Sequence, residues 1–124
     1  MKFLKNCPFI LITIFCFNFT GYAKTVNFEV PTADVKKLHT LINQYRLSKG
    51  LPEIPLSKSL THVAMIHAKD IQENPAGGSC NGHSWSSKGT WSSCCYTPDH
   101  SKAKCMWDKP KELTNYTGNS YECA

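Results

Sequence analysis

From Val35 onward, apolar residues recur at three- and four-residue steps: Val35, Leu38, Leu41, Ile42 and Tyr45, with Lys36, Lys37, Asn43 and Arg46 mostly on other faces. That is the period of an amphipathic helix. Thr32 stands where its side chain would cap the first turn, Gly50 supplies a left-handed closing residue, and Pro52 and Pro55 forbid continuation. Ser57 caps a second predicted helix, whose buried stripe is Leu60, Val63, Ala64, His67, Ala68 and Ile71 and which ends at Asn74-Pro75. On this stripe His67 reads as a packed residue with one satisfied nitrogen, whereas His39 and His62, off the apolar faces, read as solvated surface. Residues 24–31, ahead of the first helix, read as a linker.

After Ala76 the helical period disappears. Gly77, Gly78, Gly82, Gly89 and Gly118, many serines and all three tryptophans, Trp85, Trp91 and Trp107, fall here. The pattern predicts long loops with one or two short strands, ordered by cross-links, with the tryptophans as loop anchors that fill a small core.

A length of 124 residues allows one domain. Residues 1–23 have a secretory layout: Lys2 and Lys5, an apolar run from Cys7 to Phe19, then Gly21-Tyr22-Ala23 at a cleavage point. The run is short for a membrane span and no second one follows, so the expected location is secreted or periplasmic, with no transmembrane segment after cleavage. Taking Lys2 and Lys5 from the 14 basic residues leaves 12 against 9 acidic, a weak positive bias. Lys102, Lys104, Lys109 and Lys111 cluster, but Asp99, Asp108 and Glu112 interrupt them, which describes a solvated face and argues against nucleic-acid binding.

Export also bears on the cysteines. Cys7 and Cys16 leave with the signal, and Cys80, Cys94, Cys95, Cys105 and Cys123 remain, so one is left over and about 15 two-disulfide patterns are open. Adjacent Cys94 and Cys95 are expected to reach different partners, because a bridge between neighbours strains the peptide. The grouping Cys80, His83, Cys94, Cys95, His100 and Cys105 also has the ligand types of a structural zinc, but its spacing is irregular and an oxidising compartment favours disulfides. No Gly-x-Ser-x-Gly elbow surrounds Ser84, and the adjacent His83 points to the other face of an extended segment, so no serine triad is expected.

Taken together, four motifs resemble a known family. Leu41-Ile42-Asn43-Gln44-Tyr45-Arg46 with Lys49-Gly50-Leu51-Pro52, then Leu60-x-x-x-Ala64-x-x-His67-Ala68-x-Asp70, then His83-Ser84, then Tyr121-Glu122-x-Ala124, is similar to the CAP superfamily of cysteine-rich secretory, antigen 5 and pathogenesis-related 1 proteins. The surroundings Cys80-Asn81-Gly82-His83-Ser84-Trp85 and Trp91 to His100 resemble its bacterial secreted branch. The resemblance implies an α+β fold, an α-β-α sandwich, and a cleft of two histidines and two acids that in some members takes a divalent metal such as zinc. His83 corresponds to the first cleft histidine and Glu122 to the first acid.

The resemblance also implies departures. The family's second acid, second histidine and closing strands have no counterpart before Ala124, so residues 32–124 are expected to form a partial, C-terminally truncated domain with uncovered edges that favour dimerisation. Cys80, Cys94, Cys95 and Cys105 are then the expected disulfide cysteines. Cys123, where the family has an aliphatic residue, is the expected free thiol. The expected function is a secreted binding or interaction module for a protein, peptide, lipid or glycan, with His83 and Glu122 as a partial metal site and zinc as its candidate ion. The alternatives are a metal- or His/Glu-assisted, peptidase-like hydrolase, which needs His67 or His100 as a second histidine, and an inactive truncated product.

Overall fold

The structure, a computed structural model, describes residues 25–123; residues 1–23, the expected export segment, together with Lys24 and Ala124 lie outside the described residues. Four helices follow in order: α1 (Ala33–Ser48), α2 (Lys58–Glu73), α3 (Lys104–Trp107) and α4 (Lys109–Leu113). The two long helices start and stop where their capping chemistry predicts. Thr32 Oγ1 accepts from Val35 N–H and Ser57 Oγ from Leu60 N–H, each at 3.3 Å. Gly50, at φ +70°, turns the chain out of α1. No described helix is long and apolar enough to cross a membrane.

The sheet of the expected sandwich is not seen among the described residues. Strand pairing there is confined to one antiparallel bridge, in which Trp85 and Cys94 exchange both backbone hydrogen bonds at 2.9 and 3.0 Å. The other backbone hydrogen bonds of residues 76–103 are made in turns and with side chains, and two disulfides cross-link the segment. The same region continues into α3 and α4, which the loop reading did not anticipate. Their apolar positions are few, but Pro110 suits the first turn of a helix and Lys109 and Leu113 stack one turn apart.

The core is small. Val63 of α2, Trp85, Tyr96, Cys105 of α3 and Leu113 of α4 are buried together, with Ile66, Trp91, Cys94, Ala103 and Met106 packed around them. Accordingly α2 packs on α4, and α4 on α3. The α2 stripe is narrower and rotated from its expected position: Val63, His67 and Asp70 are buried, while Ala64 and Ala68 are exposed. Trp107 is also 43% exposed, resting edge-on against Tyr121 instead of anchoring the core. Lys109, expected on a solvated face, is buried: its ammonium donates to Ser92 O and Glu112 Oε2 and lies 5.5 Å from the Trp85 ring centre.

Helix α1 reverses its expected polarity. It packs against no other described helix, and its one buried residue is the polar Asn43. Leu38 is 60% and Tyr45 66% exposed, with Leu41 and Ile42 beside them. What holds α1 is the loop that follows it. Asn43 Oδ1 accepts from Ile54 N–H at 2.9 Å and its Nδ2 donates to Ile54 O at 3.0 Å, while His39 Nε2 donates to the same carbonyl at 2.9 Å and Arg46 Nε to Pro52 O at 2.9 Å. His39 is therefore a tether, not solvated surface. His62 also departs from that expectation, since Phe28 packs edge-on against its ring at 5.4 Å. Asn43→Ala, which removes the two hydrogen bonds to the Ile54 backbone and leaves the loop to His39 and Arg46, is expected to lower unfolding free energy by about 1–3 kcal/mol. Urea unfolding followed by circular dichroism checks it; an unchanged midpoint would show that the loop docks without this residue.

Candidate functional site

Three residues of α2, spaced one turn apart, organise the loop that carries the site. Val63 faces the core, His67 follows it, and Asp70 lies one turn further on. Asp70 Oδ2 accepts from Ser86 N–H at 2.8 Å, and Oδ1 accepts from Ser86 Oγ at 2.5 Å and Asn74 Nδ2 at 3.1 Å. These bonds fix the loop's far end to α2. Its near end is fixed by His67 Nε2, 2.9 Å from Gly82 O. Between the two, Asn81 Oδ1 accepts from His83 N–H at 3.1 Å, and His83 is set against the Tyr96 ring at 5.0 Å.

Glu122 enters between the two imidazoles. Its Oε1 is 2.9 Å from His67 Nε2 and its Oε2 is 3.0 Å from His83 Nδ1. An ionised carboxylate only accepts, so His67 Nε2 carries a proton, shared with Gly82 O, and His83 Nδ1 carries another. The opposite nitrogen of His67, Nδ1, is buried without a partner among the described residues, and the ring stacks on Trp85 with centres 4.2 Å apart and planes 16° from parallel. His67 is 3% exposed, while His83 and Glu122 are half-buried, so the clasp is buried at its His67 end and reaches solvent at the other. Burial by itself would raise the Glu122 carboxyl, but hydrogen bonds from His67 and His83, together with attraction to both rings, outweigh it and hold it below the ordinary 4.5.

His83 and Glu122, named from the resemblance, are thus brought together. His67 is the residue that sequence reasoning left in the core. Its packed environment and single satisfied face agree with that reading, but the same Nε2 that bonds Gly82 also holds Glu122. The available signal was its i,i+3 relation to Asp70 on one helix face, a pair of polar residues inside an apolar stripe. His100 takes no part: at φ +58° its Nδ1 meets the Tyr96 hydroxyl at 2.7 Å.

The cysteines pair as Cys80–Cys95 and Cys94–Cys105, and Cys123 is free and exposed. Four thiols of the alternative zinc grouping are therefore consumed. The remaining donors, His67, His83 and Glu122, are types that zinc accepts. In this arrangement they do not fit it, because the carboxylate occupies the space between the imidazoles with one oxygen on each. No described group of three His, Cys, Asp or Glu side chains converges to hold a metal ion.

Beside the clasp lies a groove of about 340 Å³, walled on α2 by Leu60, Ala64 and Ile71 and opposite by Met106, Pro110 and Tyr121. His67 and Glu122 also line it, so the polar clasp adjoins an apolar channel. Of these α2 residues Ala64 is exposed, and Leu60 and Ile71 are half-buried at the edge of the rotated core.

A carboxyl held lower in the folded chain adds stability that is complete above its ordinary pKa and is lost as the pH falls through its lowered value. Glu122→Gln is therefore expected to be less stable than the parent near neutral pH by about 1–2 kcal/mol. The gap should close below the ordinary 4.5. Urea midpoints of both chains across the acid range check this, and a gap independent of pH would contradict it.

No curated protein and no solved structure matched the chain in the comparisons made. The profile of the cysteine-rich secretory protein family does match, over residues 39–119. That span holds most of α1, all of α2, both disulfides, His67 and His83, and it stops short of Glu122. With about two thirds of its length matched, the chain belongs to the cysteine-rich secretory protein (CAP) family.

Proposed function

We propose that this CAP-domain chain is a secreted binding protein whose α2 groove takes the apolar part of an amphiphilic ligand, with the ligand's polar end at the His67–Glu122–His83 clasp. The observation that carries this reading is the juxtaposition of a channel of about 340 Å³, within the size range of small-molecule sites, with a charged cluster at its wall. Apolar side chains on α2 supply the gain from burial, at about 25 cal/mol per Å². The clasp supplies orientation: a ligand hydroxyl or amide near Glu122 meets a carboxylate whose two partners hold it in place.

Disulfides and family membership support an extracellular setting, as does the export layout of the first 23 residues. No step is assigned to zinc here, since the donors are closed on one another. A zinc titration checks that point: no stoichiometric uptake is expected, and tight uptake abolished by His83→Ala would reverse it.

The groove is tested with a fluorescent long-chain fatty alcohol as probe, whose hydroxyl can donate to the ionised Glu122. Stoichiometric binding is expected, and Ala64→Trp, a change at an exposed position that fills the channel, should weaken it at least tenfold without altering the far-ultraviolet spectrum. No binding by the parent chain, or equal binding by the filled variant, would overturn the assignment. The same reading places self-association on the uncovered face of α1, where Leu38, Leu41, Ile42 and Tyr45 lie exposed in helical register. Sedimentation at rising concentration should show a dimer that Leu41→Glu returns to monomer.

A further inference from the structure

Away from the groove, the cross-linked loops border a second, larger and open surface hollow of about 700 Å³ between the end of α2 at Asn74–Gly77 and residues 84–95. Its chemistry differs from that of the groove. Two basic residues, Lys88 and Lys102, line it together with four serines, and among its lining residues none is acidic. Neither lysine forms an ion pair among the described residues. The nearby negative charge, Asp70, is committed behind the wall to Ser86 and Asn74.

The serines divide into two kinds. Ser84 and Ser86 are already used, Ser84 on the Tyr96 backbone and Ser86 on Asp70. The hydroxyls of Ser87 and Ser93 have no hydrogen-bond partner among the described residues and are available to a ligand. Trp85, whose buried indole N–H has no acceptor among the described residues, is also in the wall. Cys80, Cys94 and Cys95 bring both disulfides to the cavity, so its walls are covalently held and little ordering remains to be done on binding.

Unpaired cations, free hydroxyls and an exclusion of carboxylates, on a rigid frame, select a ligand that is anionic and rich in hydroxyl groups. We propose that this cavity is a binding site for an acidic saccharide. Its sulfate or carboxylate group pairs with Lys88 and Lys102, and its ring hydroxyls pair with Ser87 and Ser93. The site is separate from the α2 groove and does not depend on the reading given to that groove.

The test uses the oxidised chain and three probes in calorimetric titration: a sulfated oligosaccharide, its unsulfated counterpart and inorganic sulfate. One-to-one binding of the sulfated oligosaccharide is expected, with at least tenfold weaker binding of the other two. Lys88→Gln with Lys102→Gln should cost at least tenfold in affinity, while the control pair Lys36→Gln with Lys37→Gln on α1 leaves it unchanged. Ser87→Ala with Ser93→Ala should weaken the oligosaccharide and leave inorganic sulfate unaffected. All four lysines are exposed, so the fold is retained, and every variant should keep the far-ultraviolet spectrum of the parent chain. No binding of the sulfated oligosaccharide, or an equal loss from the control pair, would overturn the site. Equal affinity for inorganic sulfate would overturn the saccharide assignment.

Discussion

Two adjacent cysteines facing different partners are the constraint on which the C-terminal half of this chain depends. Cys95 reaches back to Cys80, and Cys94 reaches forward to Cys105 at the start of the short helices. The core these links enclose has five buried apolar residues, too few to order some fifty residues of Gly- and Ser-rich chain by burial. By restricting the unfolded chain, disulfides across loops of this size contribute about 2–4 kcal/mol each. Because the two diverge from one peptide bond, Trp85 and Tyr96 are carried to the same place from opposite sides, and the single backbone bridge at Trp85 and Cys94 can form.

Polar residues inside the fold then do the positioning that a sheet would do elsewhere. His67, Asp70 and Lys109 are each 3% exposed, and each reaches across to the loop: to Gly82, to Ser86 and to Ser92. A buried polar group without a partner costs about 1–3 kcal/mol, so each tie penalises arrangements that break it. The site inherits this precision. His83 is placed by its neighbour Asn81 and by Tyr96, His67 by its helix, and Glu122 closes between them from the last described turn of chain. The clasp is thus a tertiary lock as well as a candidate recognition element, since it joins α2, the first loop and the C-terminal segment.

Burial is distributed unevenly as a result. The helix α2 gives one face to the core and leaves its flank as the wall of a groove, while α1 buries an asparagine and exposes its leucines. Both surfaces are apolar and unpartnered within the described chain, and both are the kind of surface from which binding derives its energy. The loops behave in the opposite way, bordering an open polar hollow lined by two lysines without an ion pair among the described residues.

How much of this was legible in the sequence depended on the range of the interaction. Helix boundaries were, because Thr32, Ser57 and Gly50 act within one turn of where they stand. The need for cross-links was legible from cysteine count and composition, and the divergence of Cys94 and Cys95 from the strain of joining neighbours. The meeting of His83 and Glu122 rested on family likeness, since no local rule links positions 39 apart. What only the tertiary structure decided was which side of each helix is covered. A period of three to four residues shows that a helix has an apolar face, but the direction of that face is set by what packs there. On α2 the cross-linked loop took His67 and Asp70, rotating burial away from Ala64 and Ala68, and on α1 the following loop bonded to Asn43 instead of covering the leucines. The sulfur pairing, the role of His67 at Glu122 and the burial of Lys109 follow from that packing, because each is a contact between distant segments whose partner exists only once the chain has folded.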